Sequence, residues 1–268
     1  MRRAASEAPS RPRPPVPGRR RLSVVVPAYR EERRIATTVS VLRAGLGAET
    51  EIVIVDDGSD DATADRAAEA GADRVIRFPA NQGKGAAVRA GMLAATGSSV
   101  VFTDADLSYA PAEVLRVRDE LERGWDVVVG SRRHIGTRAL MRSGRLRELS
   151  GRVFNLFTRL VLPRAFGDTQ CGLKGFHAEA ARRVFVLSRV DGFAFDVEIL
   201  RIAEDQGLAV TEVPVALSTT EGSTVHLEVD AVRMVRDLLR IRARAAAGGY
   251  RGGPVEAAGA PGAEKSPD

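Results

Sequence analysis

Apolar positions in the first half of the chain fall into short runs separated by amphipathic stretches. LSVVVPAY (22–29) has the pattern of a buried strand and is followed by a helical pattern over 31–46. EIVIVDD (51–57) predicts a second strand, 63–70 a helix and RVIRF (74–78) a short third strand. A helix over 85–95, a strand SVVFTDAD (99–106), a helix over 112–123 and a strand WDVVVGSR (125–132) continue the alternation. Strands buried on both faces read as near-continuous apolar runs, and helices between them supply the crossovers. The pattern therefore predicts an α/β fold with a doubly wound, mostly parallel sheet and helices on both faces.

The second half is less regular. Leu146, Leu149, Val153, Leu156, Phe157 and Leu160 recur at three-and-four spacing and predict an amphipathic helix over 144–162. DTQCGLKGFH (168–177) reads as a turn and 195–205 as a helix. LAVTEVPVAL (208–217) reads as a strand that Pro214 restricts to a sheet edge. A last helix, 228–246, carries Val229, Val232, Val235, Leu238 and Leu239 on one side. The expected organisation is a disordered basic tail (1–21), one domain (22–225), a C-terminal amphipathic helix (226–246) and a flexible tail (247–268).

The composition, 44% apolar and 28% charged in 268 residues, excludes collagen-like and wholly disordered classes. No run of about 18 apolar residues is present to span a bilayer, and 1–21 lacks the apolar stretch of a signal peptide. A single cysteine, Cys171, cannot form an internal disulfide and suits a reducing, cytoplasmic interior. The net charge of +5 conceals an uneven distribution: 1–21 carries +6 and 132–164 carries +8, leaving −9 elsewhere. A basic helix at 144–162 suits peripheral attachment to an anionic membrane surface, with Arg145, Arg147, Arg152 and Arg159 near headgroups. The alternative is a helix packed on the core with its arginines in water. Nucleic acid is disfavoured as a partner, because aromatic content is only 5% and no reading motif is present.

In a doubly wound sheet, ligands bind beyond the carboxyl ends of the strands. Acidic residues recur there: Asp56 and Asp57 after the second strand, Asp104 and Asp106 after the fourth. Such clustering calls for a neutralising cation, and hard oxygen ligands suit Mg²⁺ or Mn²⁺ with a substrate diphosphate. The alternative is that these aspartates cap helices, as Asp60 or Asp61 is expected to. In Asp56-Asp57-Gly58-Ser59 the glycine permits a tight turn that leaves a carboxylate for a base N–H. NQGKGAAVR (81–89) departs from the Walker pattern, yet a Gly-rich turn opening a helix beside Lys84 and Arg89 can hold an anion. His134, His177 and His226 are scattered without ligand spacing, and Cys171 has no evident base partner.

VVVPAYREE, IVIVDDGSDDAT, NQGKGAAVRAG, VVFTDADLSY, VVVGSR, FGDTQCGLKGF and FAFDVEIL occur in the order and spacing of family-2 glycosyltransferases. Over about 22–225 the chain resembles the polyprenyl-phosphate (dolichyl-phosphate) sugar synthases, and DTQCG with FDVEIL resembles their glucosyl branch. The resemblance implies a GT-A-type single domain and inverting transfer of a hexose, glucose from UDP-glucose, to a polyprenyl phosphate at the membrane surface. It implies nucleotide-sugar contacts at Pro27, Tyr29, Glu31, Val55, Asp57, Lys84, Arg89, Ala105 and Gln170. Metal and diphosphate would be held by Asp104 and Asp106, with Arg132 near the phosphates and Asp168 near sugar and acceptor. Other nucleotide sugars, other acceptors, and a non-catalytic sugar-nucleotide binder stay open. Three positions depart from the family pattern: Arg30 for Asn, Ser108 for Gln in mannosyl relatives, and Thr224 for Lys.

Overall fold

A computed structural model describes residues 21–132, 161–162, 166–218 and 227–251. The expectations for residues 1–20, for the helix at 144–162 up to residue 160, for His134, His226 and Thr224, and for residues 252–268 lie outside the described residues.

The elements are β1 (Leu22–Ala28), α1 (Ile35–Leu46), β2 (Glu51–Asp56), α2 (Thr63–Glu69), β3 (Arg74–Arg77), α3 (Lys84–Ala94), β4 (Ser99–Phe102), α4 (Pro111–Glu122) and β5 (Val127–Ser131). They continue with β6 (Lys174–His177), α5 (Ala178–Leu187), α6 (Phe195–Asp205), β7 (Val210–Pro214) and α7 (Leu227–Ala246). One seven-stranded sheet has the order β3-β2-β1-β4-β6-β5-β7. All neighbours pair in parallel except β6, which is antiparallel to both β4 and β5.

The pleat explains the continuous apolar runs. Val25, Val53, Val55, Phe102, Val127 and Val129 face one core, covered by α3, α5, α6 and α7. Val24, Val26, Ile52, Ile54, Val101 and Val128 face the other, under α1, α2 and α4. Successive residues of a strand point to opposite faces, so in a strand covered on both sides apolar residues are favoured at every position. The chain runs outward from β1 through β2 to β3 and returns to place β4 on the other side of β1. The β1/β4 boundary is thus the switch point, where a crevice opens beyond the carboxyl ends.

Three expectations require correction. The stretch 168–177 is not all turn: Lys174–His177 forms β6, inserted between β4 and β5. Its four residues include a lysine, too short and too polar to register as an apolar run. The fourth strand ends at Phe102, and Thr103–Asp106 leaves the ladder. The C-terminal tail does not start at 247, because Tyr250 is fully buried and donates from its hydroxyl to Glu198 Oε1 at 2.8 Å. Pro214 does end an edge strand, β7, as its missing N–H demands.

Candidate active site

Everything that converges on the crevice comes from one edge of the sheet. Asp57 follows β2, and its N–H donates to the Ala28 carbonyl at 2.8 Å, which aligns the ends of β1 and β2. Asp56 is fully buried and accepts from the Ser59 N–H at 3.0 Å. Between them and α2 lies Gly58, at φ +71°, where a Cβ would strike the backbone of Ala80 and Asn81. The capping expected of Asp60 or Asp61 is not made: the N-cap of α2 is Ala62, without a side-chain bond, while Asp61 accepts from the Thr63 N–H at 3.0 Å one residue before the cap and Asp60 pairs with Arg30 at 2.8 Å.

The Asp57 carboxylate is bonded to the loop that opens α3. It accepts from Asn81 Nδ2 (3.0 Å), the Gln82 N–H (2.7 Å) and the Gly83 N–H (2.9 Å). Burial pushes its carboxyl up, and the hydrogen bonds from Gln82 and Gly83 pull against that. Asp57 therefore clamps the loop that opens α3.

The glycines of that loop answer a packing need. A Cβ on Gly83 would lie 2.5 Å from the Asp191 carbonyl oxygen, and one on Gly85 would collide with the Val190 carbonyl. The N–H groups of Gly85 and Ala86 already donate to the Asp191 carbonyl, at 2.7 and 3.4 Å, and Arg89 pairs with the Asp191 carboxylate at 2.6 Å. The start of α3 is thus tied to the 190–191 turn through the Gly85 and Ala86 N–H groups and through Arg89.

Asp104 and Asp106 sit just past β4. The turn between them is held from α1, where the buried Thr38 hydroxyl donates to the Ala105 carbonyl at 2.6 Å. Asp106 Oδ1 accepts from the Ser108 N–H at 2.9 Å, and Leu107 takes φ +54°. Lys84 Nζ is 2.5 Å from Asp104 Oδ1. Burial lowers the Lys84 ammonium, but Asp104, Asp196 and Asp106 outweigh it and hold its pKa raised. Glu31 faces the same field: burial pushes its carboxyl up, Arg34 opposes, and Asp106, Asp61 and Asp104 push it further.

Facing this cluster is the 168–173 turn. Arg132, just past β5, bonds Asp168 with Nε (2.6 Å) and an Nη (2.9 Å), and its backbone N–H adds a third bond at 3.2 Å. Asp168 is buried. Burial raises its carboxyl, but the Arg132 bonds and charge prevail and leave it below the usual carboxylate range. Glu212 on β7 accepts from the Gly167 N–H at 2.9 Å and steadies the turn from outside. A Cβ on Gly172 would fall inside the Asp104 carboxylate. Replacing Gly172 by Ala is expected to displace that carboxylate and lower kcat/KM by about a hundredfold, with little change in melting temperature. Steady-state kinetics beside thermal unfolding would check this, and near-native activity would show that the Asp104 position is not critical.

Beneath the turn lies a buried ion pair absent from the sequence expectations. Lys174 Nζ donates to Asp196 Oδ1 (2.5 Å) and to the Cys171 carbonyl (2.7 Å), and lies 5.6 Å from the centre of the Phe102 ring. Its signal was a lysine standing between Leu173 and Phe176, one that only makes sense with Asp196, 22 residues later, as partner. Cys171 is buried with its thiol 3.2 Å from the Tyr109 hydroxyl, and burial pushes it up to about 11, so it is no nucleophile.

Among the remaining site expectations, Tyr29 is exposed at the end of β1, and Pro27 and Glu31 are half-buried beside it. Ala105 is buried in the aspartate turn, and Gln170 is exposed in the turn opposite. Val55 is not brought to the crevice. It is fully buried in the core, where a Cβ on Gly91 of α3 would touch it at 2.9 Å.

The donor set suits a divalent cation. Two carboxylates, one of them paired with a lysine ammonium, supply hard oxygen, and Mg²⁺ or Mn²⁺ is usually held by one or two carboxylates, the rest being water and substrate phosphate. No group of three or more His, Cys, Asp or Glu side chains that could hold a metal occurs among the described residues, so an all-protein cage is not what this edge offers.

A mostly parallel sheet with acidic residues past its switch point, faced by an arginine, is the kind of edge that suits a diphosphate-bearing ligand with a divalent cation. The sequence model of glycosyl transferase family 2 matches residues 23–185, and the chain belongs to that family. Within it, the chain is 33% identical over 255 residues to dolichyl-phosphate beta-glucosyltransferase of Saccharomyces cerevisiae, covering 86% of this chain and 76% of that one. It is 35% identical to the Drosophila melanogaster protein of the same name (86% and 77% covered) and 32% to the Homo sapiens one (87% and 78%). Among solved structures, glucosyl-3-phosphoglycerate synthase from Mycobacterium tuberculosis, in complex with Mn²⁺, UDP-Glc and phosphoglyceric acid, matches with TM-score 0.64 at 24% identity, covering 86% of this chain and 80% of that one. Mannosyl-3-phosphoglycerate synthase from Rubrobacter xylanophilus matches with TM-score 0.65 at 23% identity (90% and 78% covered). At these identities the two structures establish the GT-A-type fold alone.

Proposed function

We propose that this protein transfers glucose from UDP-glucose to the phosphate of a polyprenol, with inversion at the anomeric carbon. The observation that carries the reading is the pairing, across one crevice, of the Asp104–Asp106 turn with the Arg132–Asp168 pair. The dolichyl-phosphate beta-glucosyltransferase name of the relatives supports the sugar and the acceptor.

Asp104 and Asp106 would hold Mg²⁺ or Mn²⁺, which when bound neutralises charge growing on the departing diphosphate. The exposed Tyr29 ring offers an apolar face for the base, and the clamped 81–84 loop gives the donor a fixed wall. Arg132 has two nitrogens committed to Asp168, which fixes the plane of the guanidinium and leaves donors on the third for a phosphate oxygen. In the reaction the bond from the anomeric carbon to the UDP oxygen breaks, and a phosphate oxygen of the acceptor bonds that carbon from the opposite side. A phosphate monoester is already ionised near neutral pH, so no proton has to be removed from it. What two approaching anions require is alignment and cationic screening, supplied here by Arg132 and Lys84.

No helix among the described residues is long and apolar enough to cross a membrane. Peripheral attachment at the cytoplasmic face, through the arginine-rich 132–164 stretch, is part of this proposal.

The test incubates the full chain and Mg²⁺ with labelled UDP-glucose, UDP-GlcNAc or GDP-mannose, each with polyprenyl phosphate or 3-phosphoglycerate. Label from UDP-glucose in the organic extract is the expected result. Label only in water-soluble product with 3-phosphoglycerate would overturn the lipid acceptor, and transfer from GDP-mannose alone would overturn the donor.

A further inference from the structure

Glu198, on the first turn of α6, is buried and carries three hydrogen bonds that the proposed chemistry does not use. Its Oε2 accepts from the N–H groups of Arg189 and Val190, both at 2.8 Å, and its Oε1 accepts from the Tyr250 hydroxyl at 2.8 Å. Burial, with the Glu198 charge adding to it, pushes the Tyr250 hydroxyl up, so it stays a donor. Tyr250 is held from three further sides: its carbonyl accepts from Gln206 Nε2 at 2.5 Å, the Arg244 guanidinium lies 5.4 Å from its ring centre, and the adjacent Gly249 N–H donates to the Arg244 carbonyl at 2.9 Å.

The turn that Glu198 grips is the one that stoppers α3. The Asp191 carbonyl takes the Gly85 and Ala86 N–H groups, its carboxylate takes Arg89, and the glycines at 83 and 85 exist in the space those carbonyls leave. The same loop gives its Gln82 and Gly83 N–H groups to Asp57 and its Lys84 to Asp104. A contiguous run of hydrogen bonds thus leads from Tyr250, beyond α7, through Glu198, the 189–191 turn and the 82–85 loop, to Asp104. A carboxylate with two N–H bonds on one oxygen fixes a turn in position, whereas a truncated side chain leaves those N–H groups buried without acceptors.

We propose that Glu198 is a positioning residue for the donor site, set in place by Tyr250 from the segment beyond α7. The inference rests on the reading above that the 82–85 loop and Asp104 face the nucleotide sugar. It assigns a role to the segment following α7, which sequence patterning treats as a tail.

The test uses the full chain with Glu198→Ala, Glu198→Gln and Tyr250→Phe, scored by donor and acceptor kinetics and by amide hydrogen exchange at 82–86. Glu198→Ala is expected to raise the KM for UDP-glucose about tenfold while kcat and the acceptor KM stay within about twofold. Glu198→Gln keeps an oxygen for the two N–H groups and is expected to restore most of that loss. Tyr250→Phe removes only a hydroxyl, folds even if the alanine variant does not, and is expected to raise donor KM about threefold. In the alanine and phenylalanine variants the 82–86 amides exchange faster than in the wild type. Faster exchange confined to 189–190, with donor KM unchanged, would reduce Glu198 to a local anchor and overturn the inference. If the wild type moves no glucose from UDP-glucose, faster exchange at 82–86 upholds the coupling and sinks the functional reading, whereas unchanged exchange sinks the coupling.

Discussion

Replacing Asp106 by Ala is expected to lower glucose transfer by about a hundred- to a thousandfold, the loss typical when one stabilising group for charge developing in the transition state is removed. The carboxylate has two separable duties. One oxygen accepts from the Ser108 N–H and shapes the turn around Leu107, which stands at φ +54°. The other is available to a cation. Asp106→Asn retains an oxygen for the turn but lacks the charge, so it should keep the native melting temperature and still lose activity. Mn²⁺ binding followed by electron paramagnetic resonance reads the same loss without turnover. Wild-type turnover of Asp106→Asn with Mg²⁺ present would mean that the cation is held elsewhere. Asp104 differs, because Lys84 is bound to it at 2.5 Å. Asp104→Asn should cost stability as well as activity, since a largely buried ammonium loses its closest counter-charge.

The second large effect is on stability. Lys174→Met is expected to cost about 3–5 kcal/mol, the usual penalty for removing one member of a buried ion pair. Lys174 is fully buried on β6, and without it the Asp196 carboxylate and the Cys171 carbonyl both lose their donor. The pH dependence follows from Asp196. Burial raises its carboxyl, with Lys174 and then Lys84 pulling it down, and the net shift is upward. A carboxyl raised in the folded state binds a proton on folding, so its ionisation erodes stability as pH climbs above the unfolded value. Losing Lys174 raises that carboxyl further, so the deficit of Lys174→Met should be greatest near pH 8 and shrink towards pH 5. Urea unfolding at the two pH values measures this. Adding Asp196→Leu should recover most of the loss, because well-packed apolar groups replace buried ion pairs at little cost. A Lys174→Met deficit under about 1 kcal/mol at pH 8 would show that the pair does not hold this region together.

The departure at Arg30 has a structural reading. Arg30 stands at φ +55°, a left-handed conformation that Asn adopts more readily than Arg. Its N–H donates to the Ser59 hydroxyl, its guanidinium pairs with Asp60, and it lies 5.2 Å from the Tyr29 ring centre. The conformation is thus enforced by neighbours on the Asp56–Asp60 turn, and the left-handed bend brings Glu31 towards the aspartate cluster.

Much of this protein is written in its local pattern. Runs such as Val24–Val26 and Ile52–Val55 read as strands covered on both faces, because consecutive apolar residues point to both sides of the sheet. The placement of Asp57, Asp104 and Asp106 at strand ends follows directly from where those runs stop, and with it the edge at which the site forms. What local pattern could not decide was pairing over distance. β6 is four residues long and owes its existence to β4 and β5 on either side. Lys174 is tolerable only because Asp196 reaches it from another element, and Val55 is core only because Gly91 lets α3 close over it. The Gly-rich loop has the composition of an anion cradle, and which of its donors are taken is decided by the Asp191 carbonyl, some hundred residues away, which accepts from Gly85 and Ala86. Tyr250 sits in a stretch of Gly and Ala with no periodicity, and a single carboxylate on α6 draws it inside. Periodicity reports which face of an element is dry, a property of neighbours in sequence; which donor meets which acceptor depends on elements brought together only by the closed fold.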